Sequence, residues 1–336
     1  MKEKLKYLYL DDIDKDMRNG LVEFLNKSSS RIQITTEYPP SWRQRSAQLM
    51  ADLDKIDGLI LDWELTNNSA KAKEGAINAE DIDYSAESLA EHIRISSAQQ
   101  GKGDIPIIIC SADKNKAFTT FRIREKTSQD LFDLSLVKDD LFVNKVDIYE
   151  PQLYDLALLY KNLIDPSVVN VETVLGLKKQ ALENLDIRFV DRLQTMLKTN
   201  TTHDIVQFLL KEFMGKEGIL INEDILAARL GLDKQKSDKD WQKIKDILEA
   251  EEVKYRGFLS IGWLNYWAFE LEFWWQKYFE GTELRILGAK ERIARLNEKF
   301  KLNLVVAEPI KFCSSEQFRY IFLGASPNLR TRIINI

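Results

Sequence analysis

The chain has 336 residues, 48 Lys or Arg against 53 Asp or Glu, a formal net charge of −5 and a pI near 5.4. This acidic balance argues against broad non-specific nucleic-acid binding. Its 44 % hydrophobic content is ample for two or three globular domains. Two distant cysteines, Cys110 and Cys313, make a disulfide framework or zinc site a poor expectation. Two histidines, His92 and His203, make histidine catalysis another. No window reaches about 18 uninterrupted apolar residues, as a membrane-spanning helix needs. The start of the chain turns acidic too soon for a signal peptide, so a cytoplasmic protein is expected.

In chain order, Lys6 to Leu10 reads as a strand with Asp11 and Asp12 at its end. Met17 to Leu25 has helical periodicity, with Asp14 and Asp16 as solvated first-turn charges. Ile32 to Thr35 is a second short strand, and Ser41 is an N-cap candidate for a helix reaching about Leu53. Ile56 to Leu61 is an apolar run that ends on Asp62, the pattern of a buried parallel strand. Thr66 to Asp83 lacks an apolar face and reads as a loop or insertion, either a cover over the neighbouring site or a plain surface loop. Ser85 to Ile95 is a helix with Leu89 and Ile93 on one face. Ile105 to Cys110 is a fourth strand, closing on Ser111 and holding Cys110 as a buried free thiol. Helical sequence follows near Lys116 to Lys126. A fifth strand is expected at Leu141 to Val143, ending at Lys145, and then a helix over about Pro151 to Ile164.

Strands alternating with helices predict a doubly wound, five-stranded parallel sheet, whose ligands gather beyond the strands' carboxyl ends. Those ends carry Asp11 and Asp12, then Asp62, Ser111 and Lys145. Carboxylates crowded at one edge repel unless a cation sits among them, and Mg²⁺ prefers oxygen ligands. A lysine and a hydroxyl can hold phosphoryl oxygens, and a carboxylate can attack phosphorus to give an aspartyl phosphate.

These residues resemble a response-regulator receiver domain of two-component signalling, with a flavodoxin-like fold, over about the first 165 residues. The resemblance rests on Leu10-Asp11-Asp12, Leu61-Asp62, Cys110-Ser111-Ala112 and Phe142-Val143-Asn144-Lys145. It implies that Asp62 accepts a phosphoryl group from the phosphohistidine of a sensor histidine kinase or phosphotransfer protein. It also implies Mg²⁺ on Asp11, Asp12, Asp62 and the backbone carbonyl of Glu64, with Ser111 and Phe142 as switch residues. No dedicated enzyme is expected beyond self-phosphotransfer and autodephosphorylation. Two features depart from the family: Val146 follows the lysine where proline is usual, and the link from Ser111 to Lys145 is long. Lys138 therefore competes for the lysine role; Lys145 is preferred because Phe142 stands three residues before it.

Asp165-Pro166-Ser167 is the expected linker, dividing a receiver-like domain (1–165) from a mainly helical output domain (166–336), α+β toward its end. Val168 to about Leu197 is expected to be largely helical, and Ile205 to Phe213 forms another helix. Glu223 to Leu232 and Lys239 to Leu248 resemble a helix-turn-helix, which keeps DNA binding as an alternative output. The mixed charge of the second helix, with Lys239, Lys243 and Lys245 beside Asp238, Asp240 and Asp246, favours protein contact instead. Leu264 to Phe279 is aromatic on most sides, either a core helix or a partner or self-association surface; a membrane-surface helix is disfavoured by its glutamates. Lys290 to Phe300 reads as a helix, and Leu304 to Val306 and Phe318 to Leu323 as strands. From Arg285 onward ten Lys+Arg stand against four Asp+Glu. The leading expectation is a phosphorylation-controlled signalling protein whose output is a protein contact. A phosphate sink or adaptor in a bacterial relay, such as a defence system, is a third reading.

Overall fold

The structure is a computed structural model describing residues 4–13, 15–39, 51–63, 65, 84–100, 104–112, 130–138, 145–164 and 169–308. The chain forms two compact units with interleaved ranges. The first comprises Met1–Val174, Ile187–Glu212 and Ile261–Trp263; the second comprises Leu175–Asp186, Phe213–Ser260 and Leu264–Ile336.

The first unit is built on strands β1 (Leu5–Leu10), β2 (Ile32–Glu37), β3 (Gly58–Asp62), β4 (Ile107–Ser111) and β5 (Leu134–Val137). All pairings are parallel and the order is β2-β1-β3-β4-β5. The doubly wound sheet expected from the sequence is thus present. Every residue of β3 and β4 is buried, as strands covered on both faces require. Helix α1 (Lys15–Ser28) and helix α3 (Val146–Asn162) bring Leu21, Leu25 and Leu153 against Tyr7, Tyr9 and Ile108. Helix α2 (Ala86–Gln100) buries Leu89 and Ile93 with Leu59, Leu61 and Ile109 in a second cluster. Gly58 is required by close approach: a Cβ there would lie 2.1 Å from a ring carbon of Tyr7. That ring is fixed in turn, since the Tyr7 hydroxyl donates to the Leu153 carbonyl at 2.6 Å.

The fifth strand corrects the sequence reading. It lies at Leu134–Val137, seven residues before the expected Leu141, and Lys138 directly follows it. Its start is anchored by Asp133, which is buried. Asp133 accepts from the Ile107 N–H (2.9 Å), Arg94 Nη2 (2.9 Å), the Tyr160 hydroxyl (2.9 Å) and Gln207 Nε2 (3.1 Å). Burial alone would raise its pKa, but the Arg94 guanidinium and its other donors hold the carboxyl below the usual range. Gln207 and His203 come from helix α6 (Thr202–Phe208), which follows α5 (Ile187–Thr199); both belong to this unit.

The stretch to Leu197 is largely helical, as expected, but in separate pieces. It breaks into α4 (Val171–Leu175), a 3₁₀ segment (Lys179–Asn184) and α5. Gly176 ends the first with φ +65, and its Cα faces the Arg256–Gly257 backbone at a distance a side chain would fill. After α6 the helix widens into a π turn, Leu209–Met214.

The second unit packs α7 (Glu223–Leu230), α8 (Asp238–Ala250), α9 (Ala268–Tyr278) and α10 (Ala289–Phe300) around a two-stranded antiparallel ribbon. The ribbon pairs β6 (Leu220–Asn222) with β7 (Asn265–Trp267), so residues 265–267 are strand and not the start of a helix. Trp274 and Trp275 are buried in its core, and Trp274 stacks on Phe300 with centroids 5.9 Å apart. The aromatic segment is therefore mainly core, with Phe273 half-exposed. Residues 304–306 give only a single bridge, Leu232 to Val306. The expected helices from Ser41 and near Lys116, the loop 66–83, the linker at 165–167 and the strand at 318–323 lie outside the described residues.

Candidate functional site at the carboxyl edge of the sheet

Strand register brings the site together. Leu10 pairs with Leu61, so Asp11 stands level with Asp62. Asp62 pairs with Cys110 and Ser111 with Val137, so Ser111 and Lys138 arrive at the same edge. Asp11, Asp12 and Asp62 each offer an oxygen, and these oxygens lie within 4.8 Å of one another. Asp11 and Asp62 are buried and Asp12 is half-buried.

Among the described residues, Lys138 places a cation in this cluster. Its Nζ lies 2.7 Å from Asp11 Oδ2 and 2.7 Å from Asp62 Oδ1. The lysine preferred in the sequence, Lys145, instead occupies the N-cap of α3. The reason is the early fifth strand: the residue that leaves β5 at the sheet edge is Lys138. Burial works against its charge, but Asp62 and Asp11 overcome this and raise its pKa. Asp62 behaves oppositely. Burial first, and the nearby Asp11 charge second, push its pKa from 3.8 up to about 6 despite Lys138.

Two supports were not read from the sequence. The Tyr9 hydroxyl donates to Asp11 Oδ2, the oxygen that Lys138 also holds. Asp11 Oδ1 accepts the Ile13 N–H at 3.0 Å. Arg18 donates to the carbonyls of Asp11 and Ile13 and lies over the Tyr38 ring at 5.6 Å. The signal for Tyr9 was available: it stands two residues before Asp11 and so shares its face of the strand. Arg18 could be found only by placing the loop after β1. Ser111 is buried, 4 % exposed. Cys110 is a buried thiol whose pKa burial pushes up to about 12, which makes it inert. Glu64 and Phe142 lie outside the described residues.

The donor set suits a hard divalent cation: carboxylate oxygens only, crowded and partly buried. Asp11, Asp12 and Asp62 could hold such an ion.

A scan against protein-family models finds no match, and a search of curated proteins finds none. Several solved structures are similar, among them the following two. One is RcsB from Salmonella enterica serovar Typhimurium bound to promoter P1flhDC with the phosphomimetic BeF3⁻. It is 14 % identical, with 63 % of this chain and 91 % of that chain covered and a TM-score of 0.27. The other is the RcsB response regulator of Salmonella typhimurium, from work on its conformational dynamism for DNA interaction. It is 14 % identical over 67 % of this chain and 94 % of that one, with a TM-score of 0.25. The first unit is receiver-like in its sheet order and in its acidic cluster. Among the described residues, no helix is long and apolar enough to cross a membrane.

Proposed function

We propose that the first unit is a phosphoacceptor module and that Asp62 is its nucleophile. The observation that carries this reading is Lys138 bridging Asp11 and Asp62 at the carboxyl edge, beside Asp12. Lys138 holds Oδ1, so Oδ2 is the oxygen assigned to attack phosphorus while the bond from phosphorus to its donor breaks. A pKa near 6 leaves Asp62 ionised at neutral pH, as a nucleophile must be. Lys138 takes the role expected of Lys145: its charge binds a phosphoryl oxygen as one carboxylate is consumed. The Ser111 hydroxyl donates to another. Asp11, Asp12 and Asp62 would hold Mg²⁺, with the Glu64 carbonyl as an expected fourth ligand, and the ion would neutralise phosphoryl charge.

The donor is a phosphohistidine of a kinase or phosphotransfer protein, and the output is a protein contact of the second unit. DNA binding is the weaker output. On α8, Lys243 pairs with Asp240 at 2.7 Å and Lys245 with Glu223 at 3.3 Å, so their charges are already engaged. The test is intact mass after incubation with acetyl phosphate and Mg²⁺. Wild type and Lys145→Ala should gain one phosphoryl group, Asp62→Ala none, and Lys138→Ala far less. Equal labelling of wild type and Asp62→Ala would refute the assignment.

A further inference from the structure

An ionised carboxylate offers about four lone-pair sites, two on each oxygen. Asp11 is 0 % exposed. Among the described residues its carboxylate spends three of those sites. Its Oδ2 accepts the Tyr9 hydroxyl and holds the Lys138 ammonium at 2.7 Å. Its Oδ1 accepts the Ile13 N–H at 3.0 Å. The site left over is on Oδ1. An incoming cation therefore meets Asp11 through Oδ1 as long as Oδ2 stays occupied.

The two donors on Oδ2 differ in how firmly they are held. The Lys138 ammonium ends a flexible four-carbon stem, and its residue follows β5, an edge strand of the sheet. It is shared with Asp62 Oδ1, also 2.7 Å away. In the phosphoacceptor reading it passes to a phosphoryl oxygen. The Tyr9 hydroxyl ends a rigid ring on a central strand. Tyr9 is in register with Thr36 of β2 on one side and Ile60 of β3 on the other. The ring is 1 % exposed, in the cluster of Leu21, Leu25, Ile60, Leu136 and Leu153. Tyr9 stands two residues before Asp11 and so shares its face of the strand. Core packing asks for no hydroxyl there, since phenylalanine fills the same space. When Lys138 moves, Tyr9 is the donor that stays.

Mg²⁺ demands near-ideal octahedral geometry, so a carboxylate free to turn binds it poorly. Hydrogen bonds that orient a metal's ligands are typically worth about 10–100-fold in affinity. Given Asp62 as phosphoacceptor, the reading on which this rests, we propose that Tyr9 is a positioning residue. It keeps Oδ2 of Asp11 occupied and Oδ1 turned to the divalent cation, a hold that Lys138 shares only until it passes to the phosphoryl group.

The test compares wild type, Tyr9→Phe and Tyr7→Phe in the full chain. Tyr7 is the control: it is buried on the same face of β1, but its hydroxyl donates to the Leu153 carbonyl and not to the acidic cluster. Mg²⁺ is titrated against the melting temperature, and labelling by acetyl phosphate is timed by intact mass over the same Mg²⁺ series. Tyr9→Phe should raise the Mg²⁺ midpoint of both curves by about tenfold or more. Its labelling rate at saturating Mg²⁺ should stay within about twofold of wild type, because the bound ion then orders Asp11 itself. Tyr7→Phe should lower the melting temperature in EDTA and leave both midpoints in place. A merely structural role for the Tyr9 hydroxyl gives that second pattern for Tyr9→Phe as well. Unchanged midpoints in Tyr9→Phe, or tighter Mg²⁺ binding, with wild type taking the label, would overturn this proposal alone. A wild type that takes no label would overturn the phosphoacceptor reading, and this proposal with it.

Discussion

Replacing Lys138 with Met keeps most of the stem volume and removes only the ammonium. In the wild type that ammonium sits between two carboxylates that are 0 % and 7 % exposed, and its own side chain is 12 % exposed. Breaking a buried ion pair by deleting one partner costs about 3–5 kcal/mol, because the remaining charge stays desolvated. Here two acids are left, and they also repel each other. The expected loss at pH 7.5 in EDTA is therefore about 3–5 kcal/mol by urea denaturation. The loss should shrink toward pH 5, where protonation of Asp62, with its pKa near 6, removes one of the two charges. Lys138 does not contribute to that slope. Its raised pKa means its stabilisation is fully present below the ordinary lysine value and disappears only as pH climbs through the raised one. Mg²⁺ should stabilise the variant more than the wild type by supplying the missing positive charge. A loss below about 1 kcal/mol, as an exposed ion pair would give, or a larger loss from Lys145→Met, would refute the assignment of Lys138 as the site cation.

Asp62→Asn should act in the other direction. A carboxyl raised from 3.8 to about 6 is disfavoured as an anion in the fold, so wild-type stability falls as pH rises between those values. The fall is about 3 kcal/mol at ~1.36 kcal/mol per pH unit, and Asp62→Asn should flatten it and be the more stable protein at pH 7.5 in EDTA. A steeper slope in the variant would contradict this. Arg94→Met leaves Asp133 buried without its main cation and should cost about 3–5 kcal/mol in thermal or urea unfolding; a neutral result would show that the other donors suffice. Gly231 caps α7 at φ +82, and a Cβ there would meet the Ala289 Cα at 2.8 Å. Gly231→Ala should therefore destabilise the second unit by more than the ~1 kcal/mol of an unstrained glycine exchange, read as a lower urea midpoint.

How far the sequence carried the fold depended on whether the deciding contact was local. β1, β3 and β4 were legible because Tyr-Leu-Tyr-Leu, Leu-Ile-Leu and Ile-Ile-Ile are unbroken apolar runs, as strands buried on both faces must be. Asp11, Asp12 and Asp62 followed from them. β5 was misplaced because Leu134-Ser135-Leu136-Val137 is diluted by a serine, while Leu141-Phe142-Val143 is more apolar and has the family's aromatic spacing. What selects the earlier run is long-range: its hydrogen-bonded partner is β4, and Asp133 before it bonds to four other segments. In the second unit, the helix Glu223–Leu230 falls within the stretch read as resembling a helix-turn-helix, while its cap, Asn222 accepting the Ile225 N–H at 2.9 Å, was not read from the sequence. Nor was the strand Asn265–Trp267, because an aromatic triplet fits helix or strand until β6 pairs with it.

β5 is four residues long, and both of its ends are tied. Asp133 pins the start to α2, α3 and α6, and Lys138 fastens the finish to two carboxylates. From Asp133 to Lys138 is about 16 Å at the ~3.3 Å per residue of parallel strands. A peptide so short and so held has no slack to absorb a pull. If Lys138 shifts by an ångström to follow a new charge on Asp62, the strand must carry that shift to its far anchor or break a ladder bond with β4. The strand thus works as a tie rod, and the first groups to register tension would be Arg94, Tyr160 and Gln207.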